Sequence, residues 1–179
     1  EKAIYDPGIL NTNIDDFNSL SHLLIKGASV SGQITITEIE EILKSKKYQA
    51  FYTGFGYLPM FKTRRKLISN YQEISKTKVD KEIKVFEETR KEDFLYVKED
   101  NYGTSLYRSN ILLIDKYINR LKQLDYLLLE SIFLDDEIMV DALKLYKGII
   151  SATFFKEKYS SYTFDDGFFN KELIYKKGD

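Results

Sequence analysis

Tyr48-Gln49-Ala50-Phe51-Tyr52-Thr53-Gly54-Phe55-Gly56-Tyr57-Leu58-Pro59-Met60-Phe61-Lys62-Thr63-Arg64-Arg65-Lys66 decides how this chain is read. Residues 48–53 are apolar and aromatic over strand length, and β-branched and aromatic side chains suit a pleated surface. Gly54, Gly56 and Pro59 then punctuate the chain, so the strand is predicted to end in a glycine-rich loop. Lys62 follows, and then Arg64, Arg65 and Lys66 at the start of a helix expected over 64–71. Backbone amides and converging cations at the end of a parallel strand can hold an anion. The predicted anion or substrate site is Gly56, Arg64, Arg65 and Lys66, together with Gln33 from an earlier loop.

Working back from this stretch, the chain alternates. Lys2 to Tyr5 is a short apolar strand, and Asp6-Pro7-Gly8 turns it. Asn13 or Asp15 caps a helix through Phe17 to about Leu24, with Phe17, Leu20, Leu23 and Leu24 at helical spacing. Gly27 to Ser31 reads as a buried strand of small residues. Thr35 with Glu38, or Thr37 with Glu40, fits a capping box, and Ile36, Ile39, Ile42 and Leu43 give the next helix its apolar face. Strand, helix, strand, helix, strand with short links is the mark of a parallel sheet with crossover helices.

Beyond the stretch the rhythm changes. Ser75 to Lys81 is polar. Residues 83–85 and 94–96 alternate about a charged turn, Glu87 to Asp93, which predicts an antiparallel hairpin. Asp100-Asn101-Tyr102-Gly103 is a turn and Thr104 to Tyr107 a further strand. Leu113 to Leu124 reads as a helix. Tyr126 to Ser131 reads as a strand covered on both faces. Asp135 or Asp136 caps a long helix to about Phe154, and an aromatic, charged tail with an Asp165-Asp166-Gly167 turn closes the sequence. The expected organisation is parallel β/α units over 1–74, an antiparallel insertion over 75–110, a last β/α unit over 111–155 and a tail over 156–179. Parallel units that leave sheet edges bare predict an α/β fold: the C-terminal half of a (β/α) TIM-like barrel carrying an inserted antiparallel β-hairpin subdomain.

Composition narrows the chemistry. The 179 residues carry 27 basic and 28 acidic side chains, so binding to a polyanion would need a local patch. There is no cysteine, which excludes disulfides, thiolate metal sites and a cysteine nucleophile in this chain. His22 is the single histidine, so no multi-histidine metal site forms within one copy. No metal and no cofactor is expected here. No apolar run approaches the roughly 20 residues of a membrane helix, and a cytoplasmic setting is expected. The sequence opens on Glu1 rather than methionine, which suggests a fragment or processed product.

Several elements in register resemble the C-terminal half of the peptidase U32 family, which includes collagenase-like proteases. Tyr5-Asp6-Pro7-Gly8-Ile9-Leu10-Asn11 echoes its opening element, and Ser29-Val30-Ser31-Gly32-Gln33-Ile34-Thr35 a serine-glutamate element with Gln33 replacing the glutamate. Gly56-Tyr57-Leu58-Pro59-Met60-Phe61 and Arg64-Arg65-Lys66-Leu67-Ile68-Ser69 echo the next two. Asp100-Asn101-Tyr102-Gly103-Thr104-Ser105 echoes an extended element, and Gly167-Phe168-Phe169 with Tyr175 the ending. Lys66 stands where many members have a cysteine, and Ser131-Ile132 follows Glu130 where long members have glycine-arginine. The chain therefore resembles a cysteine-free bacterial subgroup, found in Gram-positive bacteria beside a second U32 paralogue. The resemblance implies two activities: collagenase-like peptide hydrolysis, or hydroxylation of the tRNA wobble uridine together with a paralogue that carries the redox centre. A non-catalytic binding subunit is the third reading. The implied partners are a paralogous U32 subunit and a tRNA or peptide substrate, with no membrane.

Glu130 ends an apolar strand, where burial would raise its pKa for acid–base work, and Asp6 ends the first strand by the same logic. These two are the candidate catalytic carboxylates. Gln33 can hydrogen-bond a ligand but not act as a base. His22 suits a helix end, and a serine nucleophile would have no other base. Tyr102 and Tyr107 with Arg108 can stack a base, although aromatic residues in a hairpin more often serve as core or cross-strand pairs. The lysines between Lys76 and Lys91 alternate with acids as a solvated face.

Overall fold

A computed structural model describes residues 3–8, 10–86 and 94–171. They form an α/β structure whose strands make a mixed, open sheet with the order β1-β2-β3-β6-β5-β4, with β7 paired to β3 and β8 to β6. The strands are β1 (Ile4–Tyr5), β2 (Gly27–Ser29), β3 (Gln49–Thr63), β4 (Glu82–Phe86), β5 (Phe94–Asp100), β6 (Gly103–Leu113), β7 (Tyr126–Leu129) and β8 (Phe164–Asp165). The helices are α1 (Ile14–Ser19), α2 (Ile36–Ser45), α3 (Leu67–Ser75), α4 (Asp136–Tyr146) and α5 (Ala152–Lys158). The chain divides into two compact units. The first comprises the described residues of Glu1–Gly56, Leu112–Ser160 and Phe164–Asp179, and the second Tyr57–Ile111 with Ser161–Thr163.

The first unit is built on parallel strands. β1 pairs with β2, β2 with β3 and β3 with β7, all parallel. Spatial order thus follows chain order. Asn13 caps α1 by accepting the Asp16 N–H at 2.8 Å, and Phe17 is fully buried. α1 ends at Ser19 and a 3-10 turn (Leu20–His22) follows. The helix expected to reach Leu24 stops early because Leu23 and Leu24 are exposed and give a longer helix nothing to bury against. Thr35 and Glu38 form the expected capping box of α2, with Ile36, Ile39, Ile42 and Leu43 buried.

Two helical readings in this unit are corrected. Residues 113–124 do not form one helix: β6 runs to Leu113 and a 3-10 turn covers Asp115–Arg120. The long helix expected from Asp135 to Phe154 is two helices. Asp135 caps α4, Gly148 then adopts φ 69°, and Ser151 caps α5. A glycine in the left-handed region closes a helix end at little cost. β7 is only half-covered, with Tyr126 exposed, rather than buried on both faces.

In the second unit β4 pairs antiparallel with β5, and β5 with β6, as the hairpin reading expected. The charged turn, Glu87 to Asp93, lies outside the described residues, as do Ile9 and Tyr175 of the family-like elements. The largest correction concerns residues 54–60, which are not a loop: β3 continues unbroken to Thr63. A Cβ on Gly54 would lie 2.7 Å from Cγ of Leu127, and one on Gly56, at φ 117°, would lie 2.5 Å from the Glu130 carbonyl oxygen. The β3–β7 register shifts between Thr53 and Phe55. The glycines therefore serve close strand packing at a bulge. Among the described residues no helix is long and apolar enough to cross a membrane.

Candidate functional site

At the carboxyl end of the first unit's parallel strands, Asp6 follows β1 and its Oδ1 accepts from Ser29 Oγ at 2.5 Å and from the Gly8 N–H at 3.0 Å. Asn11 is buried and donates from Nδ2 to the Ser29 carbonyl at 2.8 Å. Ser31 N–H donates to the Asn11 carbonyl, and Gln33 N–H to Ser31 Oγ at 3.2 Å. Asp6 and Gln33 thus belong to one polar cluster with Asn11, Ser29 and Ser31. Glu130 lies at the same end of the sheet, its N–H donating to the Phe55 carbonyl at 2.9 Å. Three strand spacings separate β1 from β7, about 14 Å along the sheet, so Asp6 and Glu130 do not form a pair. Glu130 is exposed, and the burial expected to tune it is missing. Gly56 packs against Glu130 and offers no anion-binding loop. His22 is exposed, with Nδ1 at 2.7 Å from the Ser19 carbonyl oxygen.

The basic run belongs to the second unit. Lys62 lies near the end of β3, and Arg64, Arg65 and Lys66 occupy the link to α3. Lys66 is only the N-cap position, so the cations precede the helix rather than open it. All four are exposed, and none of their side chains forms an ion pair with a described residue. Their backbone is nevertheless held firmly. Thr104 Oγ1 donates to the Arg65 carbonyl at 2.8 Å and accepts from the Leu67 N–H at 3.0 Å.

Glu99 completes this anchorage. Its side chain is almost fully buried and accepts from the Ser69 N–H at 3.0 Å, from Ser69 Oγ and from Lys81 Nζ at 2.5 Å. It does for α3 what an N-cap side chain would do. Burial by itself would raise its pKa, but Lys81, Ser69 and the Ile68 backbone outweigh burial and hold the carboxyl down at about 2.

A cleft of about 290 Å³ lies beside this segment, lined by Lys62, Thr63, Arg64, Asp100 and the run Tyr102 to Ser105. Asp100 Oδ1 accepts the N–H groups of Tyr102 and Gly103 at 2.8 and 3.2 Å. Gly103, at φ 138°, brings the turn so near that a Cβ would lie 2.8 Å from Arg64 Cα. Tyr102 is left 88% exposed beside the cleft. A turn is legible in Asp100-Asn101-Tyr102-Gly103, but its Asp100 side-chain bonds and its seat against Thr63 and Arg64 are not. The chain matches no protein-family model, no curated protein and no solved structure.

Proposed function

We propose that this chain is an RNA-binding β/α half-barrel of peptidase U32 type that supports hydroxylation of the tRNA wobble uridine together with a paralogue. The observation that carries RNA binding is the basic run. Lys62, Arg64, Arg65 and Lys66 are exposed, have no described counter-ion and sit on backbone fixed by Thr104. Cations on or beside held backbone, with no counter-ion among the described residues, in a chain of nearly balanced charge favour a phosphate backbone as the ligand. The half-barrel reading is supported by the parallel order β1-β2-β3-β7, which runs in chain order as in a (β/α) barrel. The redox chemistry falls to the paralogue in this reading, because this chain has no thiolate to offer. Peptide cleavage gains nothing comparable, since His22 is bonded to a local carbonyl.

Two measurements test the proposal. Binding of the full chain to unmodified tRNA should weaken with salt, and Arg64→Ala/Arg65→Ala should lower the slope by about two phosphate contacts, roughly 1.4 to 1.8. Deleting the gene together with its paralogue should remove 5-hydroxyuridine from tRNA. Unchanged modification in that strain would sink the hydroxylation reading.

A further inference from the structure

We propose that the cleft between Lys62–Arg64 and the Asp100–Ser105 turn takes one nucleotide of single-stranded RNA, its base stacked on Tyr102. The inference rests on the RNA reading of the basic run and assigns a ligand to a specific place in it. Size is the first argument. A cleft of about 290 Å³ lies at the small end of ligand sites and suits one nucleotide. Chemistry is the second. The lining supplies two cations for phosphate, Lys62 and Arg64, and hydroxyls from Thr63 and Ser105. Tyr102 supplies an exposed ring beside them, and an aromatic face next to cations is how proteins hold unpaired bases.

Preorganisation is the third argument. Asp100 fixes the turn that carries Tyr102 through two backbone N–H groups, both bound to Oδ1. Oδ2 makes no hydrogen bond to a described residue and remains to accept a ribose hydroxyl, which separates RNA from DNA. Gly103 presses the turn onto the Thr63–Arg64 backbone, so the aromatic and cationic walls are held at a fixed spacing. A rigid site loses less entropy on binding than one assembled by the ligand.

The test is a fluorescence-anisotropy titration of the full chain with a labelled oligouridylate, its deoxy counterpart and an RNA duplex. The single RNA strand should bind tightest. Tyr102→Ala should weaken it about tenfold or more without changing the salt slope, whereas Tyr102→Phe should retain most of the affinity. Lys62→Ala/Arg64→Ala should lower the slope by about 1.4. An affinity within twofold of the parent for Tyr102→Ala, or equal binding of duplex or deoxy strand, overturns the inference. If Tyr102→Ala is silent while Arg64→Ala/Arg65→Ala still weakens tRNA binding, the cleft assignment falls and the broader RNA reading stands. If no RNA binds, both fall.

Discussion

Replacing Glu99 with Gln should destabilise the second unit, by an amount that fades in acid. The parent carboxylate is held at about 2 against an ordinary 4.5, a difference worth at most about 3.4 kcal/mol at 1.36 kcal/mol per tenfold. Lys81 is half exposed, so solvent screens its part of the interaction, and about 2 kcal/mol is the working figure. The folded pKa is depressed, so the stabilisation is fully present above about 4.5 and is lost as pH falls from there towards 2. Urea unfolding at pH 7, 5, 4 and 3, followed by tyrosine fluorescence and circular dichroism, measures it. Glu99→Gln should cost about 2 kcal/mol at pH 7 and 5, and progressively less at pH 4 and 3. Lys81→Met should cost less at neutral pH, because Ser69 and the α3 backbone still satisfy the carboxylate. A gap below about 0.5 kcal/mol at pH 7, or one that stays constant down to pH 3, would refute the idea that an ionised Glu99 anchors α3.

Two further perturbations probe the first unit. Gly54→Ala should cost about 1–3 kcal/mol, because its Cβ would meet Leu127, and Leu127→Ala in the same chain should recover part of that loss in a double-mutant cycle. Strict additivity of the two changes in thermal or urea unfolding would show that the contact is not the reason for the glycine. Asp141 is buried and accepts from Lys144 and Lys158 at 2.7 Å and from the Tyr159 hydroxyl at 3.0 Å, joining α4 to α5. The hydrogen bonds from Lys144 and Lys158 hold its carboxyl below the ordinary aspartate range, so this stabilisation is present at neutral pH and fades below about pH 4. Asp141→Asn should cost on the order of 1–2 kcal/mol at pH 7, and hydrogen exchange in α5 should quicken; unaltered exchange there would contradict the link.

Much of the architecture was written locally. The Thr35–Glu38 capping box, the Asn13 and Asp135 caps, the apolar stripe of α2 and the alternation of the β4–β5 hairpin each depend on residues a few positions apart. Such short-range signals survive in one dimension. Errors arose where the partner of a residue lies far along the chain. Gly54 and Gly56 carry the local signature of a loop, yet they are strand residues because Leu127 and Glu130 of a distant segment need the space a side chain would fill. Glu130 looked buried from its apolar neighbours, yet it follows a strand that is only half-covered.

The candidate site shows the same division. The sequence by itself determined which residues bring charge and rings: Lys62, Arg64, Arg65, Lys66 and Tyr102 stand out in one dimension, as does the absence of any thiolate. It also determined a chain of strand-helix alternation interrupted by a hairpin. Only the tertiary structure decided that the long strand β3 passes through the glycines without breaking, and that Glu99 and Thr104 clamp the start of α3. It alone placed the Asp100–Gly103 turn against Thr63 and Arg64 to make a cleft. The reason is physical: propensity and periodicity act between near neighbours, whereas close backbone approach and the satisfaction of a buried carboxylate depend on segments that meet only when the chain has folded.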